Sequence, residues 1–356
     1  MTKTYQIYAL PGDGIGPEIL DVAVRILTAV EQRQSSFKLE LHYEEAGAGH
    51  YLATGEGMSD ETYERIVANA DAVLKGPAGL PHVRAKDGTE AGVIGGRLRN
   101  GLDLYANVRP VKLLPGVPTP VKFEPGQIDY VIVRENTEGL YASRGNGVAN
   151  ERAAVDMLFM TKVGVQRVVR AAFELARRRS GAPLDGVKRV TCVDKANVLK
   201  SMAFWRQTFT EVAEEYPDVA TDYMYADAAG QAIVMEPSRF DVLVMENYTG
   251  DLLSDVGGGT VGGLGMCPSG NLGDTKAYFE PIHGSAPSIA GTDSANPLAQ
   301  VLSAALMLDW LGEGASASLI ERAVSESLSS GALQVGTDGA LVGGTRASAD
   351  VIIAHL

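Results

Sequence analysis

Short apolar segments alternate with amphipathic segments along most of this chain, and no other feature of the sequence constrains the fold as strongly. The apolar runs at residues 5–10, 130–134 and 240–245 have the length and composition of buried strands. Residues 162–178 have apolar side chains at helical spacing. Alternation of this kind is typical of α/β proteins. The sequence therefore predicts an α/β fold, and 356 residues suffice for two domains.

The same patterns place the remaining elements. Further strands are predicted at 37–43, 72–74, 187–193 and 221–226, and further helices at 18–30, 59–69, 201–216 and 296–311. Ser59 is the predicted N-cap of the helix at 59–69. Residues 76–96 are rich in glycine and charged residues, which predicts a mobile loop. The glycine-rich residues 257–273 predict a flexible connection near a domain boundary, and a terminal helix and strand close the chain.

A glycine turn, PGDGIGPE at 11–18, follows the first strand and precedes a helix, which is typical of an anion-binding helix start. Its GxGxG spacing differs from the GxGxxG of dinucleotide-binding folds. No acidic residue clearly follows at the end of a second strand. The turn therefore does not favour a Rossmann fold.

Composition excludes several classes of protein. A formal charge of −13 argues against nucleic-acid binding and requires a local cationic pocket for any anionic substrate. The only cysteines, Cys192 and Cys267, are far apart, which argues against a thiol metal site or redox pair. No run approaches 18 apolar residues and no signal-peptide pattern occurs, so we expect a cytoplasmic protein without a membrane span.

The stretch NYTGDLLSD at 247–255 carries the first candidate site. A helix would place Asp251 and Asp255, four residues apart, on one face. Carboxylates after a buried strand suit Mg²⁺ or Mn²⁺. The alternative is a pair of aspartates that only favours the helix dipole.

Three arginines could form a cationic cage: Arg99, Arg109 and Arg134. Arginine binds carboxylates through two parallel hydrogen bonds. For each arginine alone, a structural salt bridge is the alternative. Arg134 follows a buried strand directly, and a charge in that position needs a partner.

Four other residues carry candidate chemistry. Tyr141 is either a core aromatic or part of a site. Lys195 ends a buried strand and is either a salt-bridge partner or an acid/base group. Asp227 is a third candidate metal ligand. His283 lies in a loop that could wrap a nucleotide with backbone donors or simply connect two elements.

These motifs, in this order, resemble the isocitrate/isopropylmalate dehydrogenase family of β-decarboxylating dehydrogenases. The matching motifs span nearly the whole chain: PGDGIGPE at 11–18, LDLYANVRP at 102–110, VRENTEGLY at 133–141, DKANV at 194–198, NYTGDLLSD at 247–255 and HGSAPSIAG at 283–291.

The resemblance implies a role for each candidate. Three arginines would hold the carboxylates of a malate-type substrate: Arg99, Arg109 and Arg134. Three aspartates would hold Mg²⁺ or Mn²⁺: Asp251, Asp255 and, from the neighbouring subunit of a homodimer, Asp227. Lys195, also across the dimer interface, would take part in removing the hydroxyl proton, and Tyr141 would protonate the enol after CO₂ leaves. Nine residues would line the adenosine side of an NAD site: Glu280, His283, Gly284, Ser285, Ala286, Pro287, Ser288, Ile289 and Asn296.

The resemblance also implies architecture and activity. The fold would be that of the family, not a Rossmann fold, with two domains around a mixed sheet. Residues 1–103 plus 258–356 would form the cofactor-side domain, and residues 104–257 the substrate and dimerisation domain. The activity would be NAD- and metal-dependent oxidative decarboxylation of an (R)-malate-type 2-hydroxy acid: 3-isopropylmalate, isocitrate, homoisocitrate, tartrate or D-malate. The alternatives are a non-catalytic regulatory subunit and a dehydrogenase that stops at the keto acid.

The chain departs from the family pattern where substrates are chosen. Residues 92–98, before Arg99, lack both the paired leucines that suit an isopropyl group and the Ser-x-Asn that suits the third carboxylate of isocitrate. Arg97 could meet an extra anionic group or face elsewhere. Residues 136–139 are closer to the isocitrate, homoisocitrate and tartrate/D-malate branches. Ser288 stands where NAD-dependent members usually carry Asp, but the Lys-Tyr pair associated with NADP is also absent, so we expect NAD.

Overall fold

The structure is a computed structural model that describes residues 2–86 and 88–356, so residue 87 of the predicted loop at 76–96 lies outside it. Its described strands are β1 Lys3–Leu10, β2 Phe37–Tyr43, β3 Ala72–Lys75, β4 Ala106–Lys112, β5 Asp129–Glu135, β6 Val148–Ala149, β7 Ala154–Val155, β8 Arg189–Asp194, β9 Ala220–Tyr225, β10 Val242–Met245, β11 Pro268–Leu272, β12 Ala277–Pro281, β13 Gln334–Val335 and β14 Leu341–Val342.

Its described helices are α1 Gly16–Gln34, α2 Ala48–Thr54, α3 Asp60–Asn69, α4 Gly95–Gly101, α5 Lys162–Arg178, α6 Lys200–Ala213, α7 Ala226–Met235, α8 Asn247–Gly259, α9 Leu298–Trp310, α10 Gly314–Ser329 and α11 Ala347–Ala354. Short 3-10 helices cover Leu140–Ser143, Pro237–Arg239 and Leu264–Met266. None of these described helices combines the length and the apolar character that a membrane span requires.

Ten strands form one mixed sheet in the order β2-β1-β3-β12-β11-β4-β5-β10-β8-β9. Strand β11 is antiparallel to both β12 and β4, and β4 is antiparallel to β5. The other pairings are parallel. The predicted α/β class with a large mixed sheet is therefore confirmed.

The ten-stranded sheet is built from two parts of the chain, which meet once, where β11 pairs with β4. Strands from residues before 103 and after 258 lie on one side of that pairing, and strands from 104–257 lie on the other. Only three residue pairs join the two strands: Gly270 with Val108, Asn271 with Asn107 and Leu272 with Ala106. The largest hydrophobic cluster includes side chains from both segments, among them Leu74 and Ile132. The division into two domains stays a prediction.

Local chemistry explains several elements that the sequence predicts. The alternating pattern of 37–43 forms β2, and helix α5 has the predicted bounds with its apolar face against the sheet. Ser59 caps α3, and its side chain accepts a hydrogen bond from the Thr62 N–H at 3.1 Å.

Two predictions about chain segments are wrong. The glycine-rich residues 257–273, predicted as a flexible connection, contain the end of α8 and the buried strand β11. The glycines there allow close packing, since a Cβ at Gly257 would lie 2.7 Å from the Tyr130 hydroxyl. The chain also closes on a hairpin, β13–β14, followed by α11, and not on a helix followed by a strand.

Candidate active site

A cleft of about 1250 Å³ lies beside the carboxyl ends of β5 and β10 and is lined by residues from both segments of the sheet. Eight of the predicted site residues line it: Arg99, Arg109, Arg134, Tyr141, Asp251, Glu280, His283 and Gly284. Because these residues come from separate parts of the chain, only the folded sheet brings them together.

The paired aspartates lie on one helix, α8, which begins at Asn247. The side chain of Glu246 caps α8 by accepting hydrogen bonds from the Tyr248 and Thr249 N–H groups at 3.0 and 3.1 Å. Asp251 and Asp255 then lie one turn apart, with side chains 34% and 52% exposed. Both carboxylates are therefore accessible to a ligand.

Two of the predicted arginines converge on these carboxylates. Arg134 is buried and its Nη1 bonds to Asp251, while its Nε and Nη2 bond to the Asn247 side-chain oxygen at 3.0 and 2.8 Å. Arg109 Nη1 lies 3.3 Å from Asp251 Oδ1 and 3.8 Å from Asp255 Oδ1. The predicted partner of Arg134 is thus an aspartate of the candidate metal site.

Burial and the charges of Arg109 and Arg99 lower the pKa of Arg134 to about 9. Burial opposes ionisation of Asp251, but Arg134 and Arg109 outweigh it, and the pKa of Asp251 falls below its ordinary value. At neutral pH the cleft therefore holds clustered guanidinium groups around one carboxylate. Such a pocket suits an anionic ligand with more than one carboxylate.

Tyr141 lies beside the same aspartate, on the 3-10 helix Leu140–Ser143. Its hydroxyl donates to Asp251 Oδ2 at 2.8 Å. The turn before it requires glycine, because Gly139 has φ 80° and a Cβ there would lie 2.3 Å from Glu246 Oε1. Burial and Asp251 raise the pKa of Tyr141 to about 12, so the hydroxyl keeps its proton at neutral pH.

Lys195 and Asp227 do not line this cleft. Lys195 follows β8, Asp227 lies in the first turn of α7, and their side chains form an ion pair at 2.7 Å. The Asp227 side chain is 71% exposed. Within the described part of one chain, no group of three His, Cys, Asp or Glu side chains could hold a metal ion. A single chain therefore does not bring the three predicted ligands together.

Glu280, at the end of β12, is the centre of a buried ionic cluster. Its Oε2 lies 2.6 Å from Lys75 Nζ, and its Oε1 lies 3.3 Å from Arg99 Nη2. Burial opposes ionisation, but Lys75 and Arg99 lower the pKa of Glu280 to about 2. Lys75 was not predicted as a site residue. The one signal for it in the sequence is its position at the end of a buried strand.

Among the remaining predicted cofactor residues, His283 lies at the cleft, whereas Ser285 and the four residues after it lie outside the cleft lining. His283 lines the cleft; burial lowers the pKa of its ring, and among the described residues its Nε2 has no hydrogen-bond partner. Buried Ser285 bonds through its hydroxyl to the Gly79 carbonyl at 2.5 Å. Four residues follow in the loop outside the cleft lining: Ala286, Pro287, Ser288 and Ile289.

Asn296 also lies outside the cleft lining. Its Oδ1 accepts from the Leu298 N–H at 3.0 Å, and its Nδ2 donates to the Gly339 carbonyl at 3.2 Å. The side chain is only 7% exposed. In this conformation Asn296 therefore connects α9 to the C-terminal hairpin.

Three buried asparagines behind the arginines were not predicted as site residues. Asn107 Nδ2 and Asn136 Nδ2 both donate to Asn271 Oδ1 at 3.0 Å, and Asn107 Oδ1 accepts from Arg109 Nε at 2.5 Å. This set crosses the pairing of β11 with β4. Asn107 and Asn136 lie inside motifs that the sequence did single out, but only the sheet register reveals their contact with Asn271.

The residues present suit the groups that the resemblance implies. Asp251 and Asp255 supply the hard oxygen ligands that Mg²⁺ and Mn²⁺ prefer. The buried Nε2 of His283, which has no hydrogen-bond partner in the described part of the chain, is available to a molecule bound at the cleft wall formed by residues 281–284.

The chain matches known proteins over nearly its whole length. A family model described as isocitrate/isopropylmalate dehydrogenase matches residues 6–346. The 3-isopropylmalate dehydrogenase of Clavibacter sepedonicus is 42% identical over 344 residues, with 92% of each chain covered. The 3-isopropylmalate/3-methylmalate dehydrogenase of Methanocaldococcus jannaschii is 44% identical over 328 residues, again with 92% of each covered.

Solved structures show the same similarity. An isocitrate dehydrogenase from Methylococcus capsulatus superposes with a TM-score of 0.86 and 37% identity over 99% of both chains. The TT0538 protein from Thermus thermophilus superposes with a TM-score of 0.84 and 38% identity over 99% of this chain and 68% of that one.

Proposed function

The chain belongs to the isocitrate/isopropylmalate dehydrogenase family, and from this premise we propose that it oxidatively decarboxylates a malate-type 2-hydroxy acid with NAD and Mg²⁺ or Mn²⁺. The observation that carries the proposal is the convergence of Arg109, Arg134 and Tyr141 on Asp251 within one cleft. Such a site offers carboxylate-binding groups, a protonated acid and oxygen ligands within reach of one small molecule.

The arginines would bind the two carboxylates of the malate unit. Arg134 and Arg109 are buried, so their interactions with a carboxylate would be screened little by water. Their contacts with Asn247 and Ser254 fix both guanidinium planes before substrate arrives. This preorganisation lowers the cost of binding.

Asp251 and Asp255 would hold the divalent ion, with Asp227 of a second subunit as the third carboxylate. When bound, the ion supplies Lewis-acid polarisation of the substrate oxygens and stabilises negative charge during decarboxylation. When bound in the remaining part of the cleft, NAD supplies the hydride acceptor. His283 and Glu280 would border that part of the cleft.

Two side chains would move protons. Lys195 would take part in removing the proton of the substrate hydroxyl as the alcohol becomes a ketone. Cleavage of the bond to the β-carboxylate then releases CO₂ and leaves its electron pair in an enolate. Tyr141 would donate its proton to the carbon that lost CO₂, a role that suits a hydroxyl with a pKa of about 12.

The site would be completed in a homodimer. Lys195 and Asp227 lie outside the cleft of their own chain. Helix α8 also exposes apolar side chains beside the paired aspartates, with Leu252 50% and Val256 40% exposed. We infer that a second copy covers this face and brings its Lys195 and Asp227 to the cleft.

The substrate within the malate class is the least constrained part of the proposal. Gly95 and Gly96 of α4 line the cleft without side chains, and a Cβ at Gly96 would meet nothing within 4 Å. Arg97 also lines the cleft, but its guanidinium is already bonded to Asp60 and the Met58 carbonyl. This wall therefore offers space rather than a charged partner for a group on the β-carbon.

The test is NADH formation with Mn²⁺ across D-malate, tartrate, isocitrate, homoisocitrate and 3-isopropylmalate, with NADP⁺ in parallel. We expect one substrate to dominate in kcat/KM, with one CO₂ released per NADH. NADH without CO₂ would identify a dehydrogenase that stops at the keto acid. Absence of turnover with every substrate would contradict the enzyme assignment and favour a regulatory subunit.

A further inference from the structure

The hydroxyl of Tyr278 lies between a group proposed to hold the substrate and one proposed to border the cofactor. Arg99 Nε donates to the Tyr278 hydroxyl at 2.9 Å, and that hydroxyl donates to Glu280 Oε1 at 2.9 Å. The second oxygen of Glu280 pairs with Lys75. The hydroxyl thus bridges a cation and a carboxylate that both line the cleft.

The position of this hydroxyl leaves one edge of the Arg99 guanidinium available. Nε and Nη2 share the edge that meets Tyr278 and Glu280. A guanidinium binds a carboxylate best through two parallel N–H groups, and the edge formed by both terminal nitrogens is the one that remains. Arg99 lines the cleft with its side chain 19% exposed, so this edge can meet a ligand.

Tyr278 itself does not line the cleft. It is fully buried on β12, in a hydrophobic cluster with Tyr8, Leu98 and Leu104. A buried hydroxyl without a partner is costly, so Arg99 and Glu280 stabilise it where it lies. A Cβ on Gly95 would lie 3.6 Å from the hydroxyl oxygen, so the first turn of α4 covers it.

We propose that Tyr278 is a positioning residue for catalysis, which holds Arg99 in the orientation that binds a substrate carboxylate and links it to Glu280 on the cofactor side. This inference rests on the proposed function, in which Arg99 binds substrate. Without the hydroxyl, the Arg99 guanidinium keeps only its 3.3 Å contact to Glu280 in this cluster and can rotate about it.

The test compares Tyr278→Phe with Tyr130→Phe, using the substrate with the highest kcat/KM. Both tyrosines are fully buried, but the Tyr130 hydroxyl has no hydrogen-bond partner among the described residues. We expect Y278F to raise the substrate KM roughly tenfold, the size expected for a hydrogen bond to a charged group, and to leave kcat within about threefold. Y130F should leave the substrate KM unchanged.

A double-mutant cycle separates positioning from general destabilisation. In an Arg99→Lys background the guanidinium that Tyr278 orients is absent, so adding Y278F should change kcat/KM by less than about twofold. Additive effects of the two substitutions, or a Y278F enzyme with the KM of the unchanged protein, would overturn the inference. Absence of turnover in the unchanged protein would overturn the proposed function and this inference together.

Discussion

The side-chain nitrogen of Lys195 lies 2.7 Å from the carboxylate of Asp227, outside the cleft that holds the arginines and Asp251. Lys195 lowers the pKa of Asp227 below its ordinary value, so the Asp227 carboxyl is ionised at neutral pH. Two residues with the chemistry that the proposed reaction requires therefore lie apart from the rest of the proposed site. A symmetric dimer can place the pair of one subunit at the cleft of the other.

Complementation between two inactive variants tests this arrangement. Lys195→Met and Asp251→Asn should each abolish turnover, because each removes a group proposed to act on the substrate. Co-expression of the two variants should restore about a quarter of the unchanged activity, since half of the dimers are mixed and each mixed dimer has one intact site. The measurement is kcat per subunit of the purified mixture. No recovery, with mixed dimers present by mass spectrometry, would place both residues in a site within one chain.

Arg99→Met and Arg97→Met form a matched pair two residues apart on α4. Loss of Arg99 should lower kcat/KM about 10- to 100-fold, because the proposed charged hydrogen bond to substrate disappears. Loss of Arg97 should change it less than about twofold, since Asp60 and the Met58 carbonyl hold that guanidinium. Kinetics with each active substrate provide the comparison. A large effect of Arg97→Met only with tricarboxylates would show that Arg97 leaves Asp60 to bind the third carboxylate.

Tyr141→Phe should lower kcat about 10²-fold or more while the substrate KM changes little, because the proposed proton donor is lost and the arginines remain. An ordinary tyrosine loses its proton near pH 10, whereas Tyr141, with a pKa of about 12, keeps it. The activity of the unchanged enzyme should therefore not fall near pH 10 through ionisation of Tyr141. A fall near pH 10 that is absent in Y141F would contradict this expectation.

Tyr248→Phe is the control for this substitution. The Tyr248 ring meets that of Tyr141 at a centroid distance of 5.8 Å, and its side chain is 40% exposed. Removal of this hydroxyl should leave kcat within about twofold. Equal losses in both variants would contradict a specific role for the Tyr141 proton.

Glu280→Gln should change how stability depends on pH. The pKa of Glu280 falls from an ordinary 4.5 to about 2 in the folded state. A lowered carboxyl pKa stabilises the fold fully above about pH 4.5, and this contribution, about 3 kcal/mol, is lost as pH falls toward 2. Urea unfolding from pH 6 to 3 should give a steeper loss of unfolding free energy for the unchanged protein than for E280Q. Parallel slopes would mean that Lys75 and Arg99 do not lower this pKa.

Periodicity and cap chemistry predicted much of the secondary structure, because they act within a few residues. Helix α5 and strand β2 have their predicted bounds, and Ser59 is the predicted cap. Three central strands were not predicted: β4, β11 and β12. Glycine, proline and asparagine in β11 weaken any local strand signal, and only its neighbours on both sides, β12 and β4, pair it into the sheet.

The sequence by itself determined the types of chemistry: three arginines, paired aspartates one helical turn apart, and a lysine and an arginine at the ends of buried strands. Only the tertiary structure decided which of them meet. Asp251 faces Arg134 and Arg109, while Lys195 faces Asp227 and the hydroxyl of Tyr278 meets Arg99. Spacing along one helix or strand sets the distance between near neighbours, but side chains far apart in the sequence are brought together only by the order and register of the sheet strands that carry them.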